Sequence, residues 1–142
     1  MIGVGRMKIN ERKPPRIFTA GPAHSVSIKH AADIQLESNE QVTFLTESGT
    51  EFDVVKKEWG YYATPSMNTR LREHGLRAAL VSNQHSQLYL LLVEFGCESE
   101  FLAYLSSEKH RLLIWLDSDS NVNKIIKIIL NLLKRYSKFW FI

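Results

Sequence analysis

This sequence is poor in cysteine, and its last 22 residues contain no acidic side chain. The single cysteine, Cys97, cannot form an internal disulfide, which excludes a disulfide-stapled scaffold and favours a reducing compartment. The first 16 residues have no long apolar run after their basic residues, so they do not match a secretory signal. We therefore expect a cytoplasmic protein. Its 142 residues suffice for one domain with a substantial core.

The familiar catalytic motifs are also missing. There is no glycine-rich phosphate loop, no nucleophile elbow and no C-x-x-C, and Gly3-Val4-Gly5 lacks the third glycine of a dinucleotide fingerprint. The five histidines are scattered, and no two have the three- or four-residue spacing of zinc ligands on a helix. No cofactor is expected, and whether the protein is an enzyme stays open.

The charge is unevenly distributed along the chain. Residues 1–16 hold five basic residues and one acidic residue, residues 17–119 hold eight basic and fourteen acidic residues, and residues 121–142 hold five basic residues. The sequence pI near 9.0 therefore comes from the two ends. An acidic centre between basic segments does not match a folded domain with a basic binding face, which argues against nucleic-acid binding except through the arms.

Several stretches alternate apolar and polar residues with a period of two, as half-buried strands do. They lie at residues 26–29, 33–37, 41–44 and 51–54. Between the last two, Glu47-Ser48-Gly49-Thr50 predicts a hairpin. Two apolar runs, Leu76–Val81 and Leu88–Val93, predict strands that are covered on both faces.

The rest of the pattern predicts helices. A short helix is expected from Ser66 to Glu73 and a longer one over Glu98–Lys109, before a strand at Arg111–Leu116. The segment from Leu88 to Leu116 has β–α–β spacing, which suggests one parallel pair of strands.

We thus predict an α+β fold. It has a mostly antiparallel sheet, curled or barrel-like as one option, with two packed helices and a C-terminal amphipathic helix. Residues 1–15 are expected to form a flexible basic arm and residues 16–120 a single domain. Residues 121–142 would form a basic amphipathic helix or an appended tail.

The aromatic segment around Gly60 is the candidate ligand-binding surface. Trp59, Tyr61 and Tyr62 offer rigid, amphipathic rings on which sugars and bases can stack, and Arg70 would add an anion contact. The alternative is that these rings plug the end of a sheet.

Other residues are candidates for acid–base catalysis, metal binding or thiol chemistry. His30 and Glu51 are the candidate acid–base residues, and the spacing of His30 and Asp33 predicts opposite faces of a strand. Asp117 and Asp119 form a D-x-D that would suit a divalent cation, but capping of the following helix explains the same residues and no metal is expected. Cys97 near a helix N-terminus is either activated or, as we favour, inert.

The tail has one polar stripe on a wide apolar helix. Lys124, Lys127, Asn131, Lys134 and Lys138 follow a 3-4-3-4 spacing, with Arg135 beside them. A membrane span needs about 20 nearly uncharged residues, so five charges argue against one. Three interpretations remain. The helix docks on its own domain or a second subunit, or it lies in a membrane interface. In the third interpretation it is not an evolved part of the domain and results from a shifted reading frame or a truncation.

The expected function is a non-catalytic small-ligand-binding or protein-interaction module. The tail, residues 121–142, would be the route to a homo-oligomer or protein partner, or to a membrane surface. The alternative is a small enzyme acting on a sugar or nucleotide, with the aromatic rings holding the substrate and His30 or Glu51 as acid–base groups.

Overall fold

A computed structural model describes residues 6–21, 25–63 and 65–137. These residues contain eight strands and three helices in an α+β arrangement that ends in a helix, as predicted. The elements in chain order are β1 (Lys8–Ala20), β2 (Val26–Gln35), β3 (Gln41–Leu45), β4 (Glu51–Lys57), β5 (Gly60–Tyr62), α1 (Arg70–Glu73), β6 (Leu76–Ser82), β7 (Leu88–Glu94), α2 (Glu98–Ser107), β8 (Arg111–Trp115) and α3 (Asp119–Tyr136). The strands of the described residues form three antiparallel sheets, and none of these closes into a barrel.

The chain divides into two compact units. Residues 1–46 and 51–65 form unit 1, and residues 47–50 and 66–142 form unit 2. Local patterns predict single strands and helices, whereas the division depends on which elements contact each other, and that is a property of the folded chain.

Unit 1 contains a two-stranded sheet, β1-β2, and a three-stranded sheet in the order β3-β4-β5. The expected hairpin is present between β3 and β4, and Gly49 in its turn has a positive φ of 90°. Residues 8–15, expected to be a flexible arm, instead lie in β1. Residues 8–11 pair with β2 despite the weak periodicity, since strand formation depends strongly on context.

The register of β1 against β2 shifts between Glu11 and Arg16. Pro14 and Pro15 lie in this segment. Proline cannot donate to a ladder and is tolerated at irregularities of this kind.

Unit 2 is built on a sheet in the order β7-β6-β8. Ala79 of β6 pairs with Leu91 of β7 on one side and with Trp115 of β8 on the other. The prediction of a parallel pair is therefore wrong. β7 and β8 run in the same direction, but β6 lies between them and pairs antiparallel with both, so the β7–α2–β8 connection passes over β6.

The core of the described residues lies in unit 2. Ala79, Val81 and Leu105 are buried at its centre, and Phe101 and Trp115 pack against them. On α1, Leu71 is completely buried. Strands β1 to β5 of unit 1 contain no buried residue.

Helix α1 begins at Arg70 rather than directly after Ser66, the predicted cap, because residues 67–69 form turns. Ser66 still closes this turn, since its hydroxyl accepts from the backbone N–H of Arg70 at 3.0 Å. Gly75 follows the helix with φ of 87°, at the position where glycine commonly ends a helix.

Ser118 is the N-cap of the C-terminal helix α3, and its Oγ accepts from the backbone N–H of Asn121 at 3.1 Å. No residue of α3 is buried. Lys138 and the residues after it lie outside the described part of the chain. Within the described part, no helix combines the length and apolar character needed to cross a membrane.

Candidate functional site

The three aromatic side chains of the candidate ligand surface are all exposed. Trp59 lies in the turn between β4 and β5, and Tyr61 and Tyr62 lie in β5. Their exposed fractions are 70%, 59% and 50%. They therefore do not plug the end of a sheet, which was the alternative to a binding role.

The three rings do not share one surface. Trp59 lines a pocket of about 250 Å³ together with Ser38, Asn39, Lys57 and Glu58. Tyr61 lines a separate apolar crevice of about 140 Å³. Tyr62 follows Tyr61 directly in the strand, so it points to the opposite face of the sheet.

The apolar crevice forms on one face of the β3-β4-β5 sheet. Val42 pairs with Val54, and Phe44 pairs with Phe52, whose ring centroid lies 6.1 Å away. Ile34 of β2 and Leu36 just after it complete the lining. The period-two alternation of β3 and β4 is the cause, because it places these side chains on the same face.

A lysine stands beside the crevice. The ammonium of Lys56 lies 5.5 Å from the centroid of the Tyr61 ring, within cation–π range. Lys56 and Tyr61 are paired residues of β4 and β5, so the register of the sheet holds them together.

The other face of this sheet carries a polar cluster. Thr43 Oγ1 donates to Asp53 Oδ1 at 2.6 Å, and Gln41 Nε2 donates to Thr43 Oγ1 at 3.2 Å. In the described residues, β3 pairs with β4 along one edge and no strand pairs with its other edge. The crevice thus adjoins a strand edge with free backbone pairing capacity.

His30 lies beside the Arg12–Asp33 ion pair on the β1-β2 sheet. Its Nε2 is 2.9 Å from Asp33 Oδ1 and 3.2 Å from the carbonyl oxygen of Ala32, and Arg12 reaches Asp33 Oδ2 at 2.6 Å. The prediction that His30 and Asp33 face opposite ways is wrong. The register shift between Glu11 and Arg16 disturbs the regular alternation at this part of β2.

The candidate acid–base residues do not join the aromatic rings. Neither His30 nor Glu51 belongs to the described lining of the pocket that contains Trp59 or of the crevice that contains Tyr61. Glu51 opens β4, opposite Leu45. Their assignment as catalytic groups stays a prediction.

Arg70, the candidate anion contact, belongs to unit 2, whereas the aromatic rings belong to unit 1. A pocket of about 360 Å³ beside α1 is lined by Asn68, Thr69, Arg72, Glu73 and Phe95, without Arg70.

Asp117, a candidate metal ligand, is buried and paired with Arg77. Arg77 Nε lies 2.8 Å from Asp117 Oδ2, and Arg77 Nη1 lies 3.3 Å from Glu98 Oε1. These acceptors raise the pKa of Arg77, the hydrogen bond that Arg77 donates to Asp117 most strongly, against the opposing effect of burial. The guanidinium also covers the Trp115 ring, with 3.8 Å between Cζ and the ring centroid.

Asp119, the second candidate ligand, accepts from Asn68 Nδ2 at 3.1 Å. No group of three or more His, Cys, Asp or Glu side chains in the described ranges is arranged to hold a metal ion. Arg77 was missed by sequence reasoning. Its signal is its place as a lone cation within the apolar run of β6.

Cys97 is exposed at the N-cap of α2. Desolvation raises the pKa of its thiol, and the nearby carboxylates of Glu100, Glu94 and Glu98 raise it further. These causes oppose the activation that a helix N-terminus would bring, so the geometry favours an inert thiol.

The candidate partner-binding lysines are placed along α3. Lys124, Lys127 and Lys134 lie within this helix and are exposed, whereas Lys138 lies outside the described residues.

No protein-family model matches the chain, and neither does any curated protein or solved structure.

Proposed function

We propose that this chain is a non-catalytic protein-interaction module that binds an extended peptide segment along β3. The supporting observation is the crevice of about 140 Å³ beside Tyr61, which lies against an unpaired edge of a sheet. Peptides that add a strand to a sheet edge gain affinity from main-chain hydrogen bonds and specificity from side-chain pockets.

The crevice has the size and chemistry for one apolar side chain of the peptide. Cavities of about 150 Å³ accept a molecule as large as benzene. Its lining is aliphatic and aromatic, from Ile34, Leu36, Val42, Phe44, Val54 and Tyr61. The Tyr61 hydroxyl is the polar group among these side chains, so the crevice favours a leucine or phenylalanine over a charged residue.

A binding role accounts for this lining better than catalysis does. The enzyme alternative needs His30 or Glu51 within hydrogen-bond reach of a substrate stacked on the rings. Neither residue lines the crevice or the Trp59 pocket, and the rings themselves are divided between different surfaces.

A nuclear magnetic resonance titration of the full chain tests this proposal. The probe is a blocked five-residue peptide with a central leucine, and the control peptide carries serine at that position. We expect saturable shifts of the amides of Val42, Phe44 and Val54 with the leucine peptide. The affinity should be millimolar or weaker, because burial of one leucine contributes only about 1.5–3 kcal/mol.

Adjacent tyrosines provide a matched pair of variants. Tyr61→Ala removes one wall of the crevice, whereas Tyr62→Ala makes the same truncation on the opposite face of β5. Binding should be lost in Y61A and kept in Y62A, with circular dichroism confirming that both fold. Equal effects of the two variants, or equal binding of the serine peptide, would exclude the crevice as the binding site.

A peptide methylated at alternate backbone nitrogens tests the strand edge separately. Methylation removes N–H donors without changing the leucine side chain. If β3 pairs with the peptide, the methylated form should bind at least several-fold more weakly when the methyl groups face the sheet. Unchanged affinity would leave a side-chain pocket but overturn the strand-addition part of the proposal.

A further inference from the structure

Helix α3 presents an apolar surface that the rest of unit 2 does not bury. None of its 18 residues is buried. The exposed fraction is 46% for Ile126, 49% for Ile129 and 48% for Leu133. The described residues of unit 2 therefore do not bury this helix, as docking on its own domain would require.

The polar and apolar residues of α3 separate completely from Lys124 onward. With 3.6 residues per turn, the polar residues span about 100° around the helix axis. Lys134 lies at one edge of this polar arc and Arg135 at the other. That arc contains Lys124, Lys127, Asn131, Lys134 and Arg135. The apolar arc runs from Ile128 to Leu130 over about 200° and contains no polar side chain except the hydroxyl of Tyr136.

The charge on the polar arc has one sign. Lys124, Lys127, Lys134 and Arg135 are cations, and the acidic residue of the helix, Asp119, lies in its first turn. A surface that complements this helix must therefore carry negative charge along both edges of a broad apolar region.

A second copy of the chain fits these requirements poorly. A two-stranded coiled coil buries a narrow seam and usually pairs opposite charges on its flanks. Here the seam of Ile125, Ile129 and Leu132 is flanked by further apolar residues such as Ile126 and Leu133. Two copies would leave those flanks exposed and would bring cations together without acidic partners.

We propose that α3 binds in the interface of a bilayer that contains anionic phospholipid, with its axis parallel to the membrane plane. A bilayer interface covers a broad apolar arc, because such helices bury their apolar face to the level of the acyl chains. The flanking lysines extend their apolar stems along that face and place their ammonium groups among the headgroup phosphates. This proposal is independent of the peptide-binding role of β3.

Vesicle co-sedimentation of the full chain tests the proposal. One set of vesicles is pure phosphatidylcholine, and the other contains about one third phosphatidylglycerol. We expect at least tenfold stronger binding to the anionic vesicles, since each cation near an anionic surface typically contributes about fivefold in affinity. Raising the salt from 0.1 M to 0.5 M should weaken this binding, because screening reduces the attraction.

Two variants carry the same charge change on opposite faces of α3. Ile129→Asp places a carboxylate at the centre of the apolar arc, whereas Asn131→Asp places one in the polar arc. I129D should lose vesicle binding, and N131D should weaken it only a few-fold. The buried core is not expected to change in either variant because α3 contains no buried residue.

Sedimentation velocity without vesicles separates the remaining outcomes. A stable dimer that I129D converts to monomer would assign α3 to a second copy and overturn the proposal. Absence of binding to anionic vesicles, or equal binding of I129D and N131D, would overturn it as well.

Discussion

Arg77 of β6 forms an ion pair with Asp117, the second residue after β8. The distance between Arg77 Nε and Asp117 Oδ2 is 2.8 Å. Asp117 is only 5% exposed, so its charge depends on Arg77 for compensation. Arg72 adds a hydrogen bond to the carbonyl oxygen of Asp117 at 3.2 Å. Asp117, which the sequence suggested as a metal ligand, is thus paired with Arg77 inside unit 2.

Loss of Arg77 should destabilise the protein strongly. Arg77→Met keeps an apolar stem but leaves Asp117 buried and unpaired, and removal of one partner of a buried pair costs about 3–5 kcal/mol. Urea denaturation gives the free energy of unfolding. Arg111→Met, at the exposed first position of β8, is the control and should change the free energy of unfolding by less than about 0.5 kcal/mol. A loss below about 1 kcal/mol in R77M would show that the pair contributes little.

Glu98 should make stability depend on pH in the acid range. Hydrogen bonds from its own backbone N–H, from Arg77 and from Gly96 hold the pKa of Glu98 below its ordinary value, against the opposing effect of desolvation. A lowered folded-state pKa stabilises the fold above the ordinary value of about 4.3, and this contribution disappears as the pH falls through the folded-state pKa. Thermal unfolding from pH 6 to pH 2 measures it.

The matched variants for that experiment are Glu98→Gln and Glu100→Gln, which lie two residues apart in the first turn of α2. E98Q should flatten the decline of the melting temperature below about pH 4.3. E100Q removes the Glu100 carboxylate, which accepts from the Ser99 hydroxyl, and it should keep the slope of the unchanged protein. Identical slopes in all three proteins would remove Glu98 from the explanation.

Gly75 should tolerate a side chain less well than Gly96, although both have positive φ angles, of 87° and 92°. A Cβ on Gly75 would lie 2.7 Å from Thr50 Cγ2, whereas one on Gly96 meets nothing within 4 Å. Gly75→Ala should therefore cost about 1 kcal/mol or more beyond Gly96→Ala, for which backbone strain of about 1–3 kcal/mol is expected.

Thr50→Ser tests the contact directly, because it removes Cγ2 and keeps the hydroxyl that donates to Glu94 at 2.7 Å. Addition of T50S to G75A should recover part of the loss, with a coupling free energy of about 0.5–3 kcal/mol. Additive behaviour of the two substitutions would contradict the steric explanation.

Cys97 should react slowly with iodoacetamide despite its exposure. Its raised pKa lowers the fraction of reactive thiolate at pH 8. We expect a slower rate than that of N-acetylcysteinamide and a faster rate in E100Q, because the substitution removes one of the carboxylates that raise the pKa. A rate above that of the free model thiol would contradict this assignment.

The sequence predicts the parts of the fold whose signals are local. The alternation at Val42, Phe44 and Val54 identified two strands and the apolar face that forms the crevice. The 3-4-3-4 spacing of Lys124, Lys127 and Lys134 identified an amphipathic helix. These patterns succeed because helical and strand periods place side chains by their spacing alone.

The same reasoning fails where a neighbouring strand intervenes. His30 and Asp33 were expected on opposite faces, yet they lie 2.9 Å apart beside a register shift whose cause lies in β1. Trp59, Tyr61 and Tyr62 were treated as one surface, but the turn and the alternation of β5 divide them. Spacing along one segment contains no information about such partners.

The sequence by itself determined most of the strands, helices α2 and α3, and the charge of α3, because each depends on residues only a few positions apart. Only the tertiary structure decided that β6 lies between β7 and β8, that Arg77 reaches Asp117 across 40 positions, and that unit 2 buries no residue of α3. Those outcomes depend on pairing and packing between distant segments, for which the free energy is a property of the whole fold rather than of any local pattern.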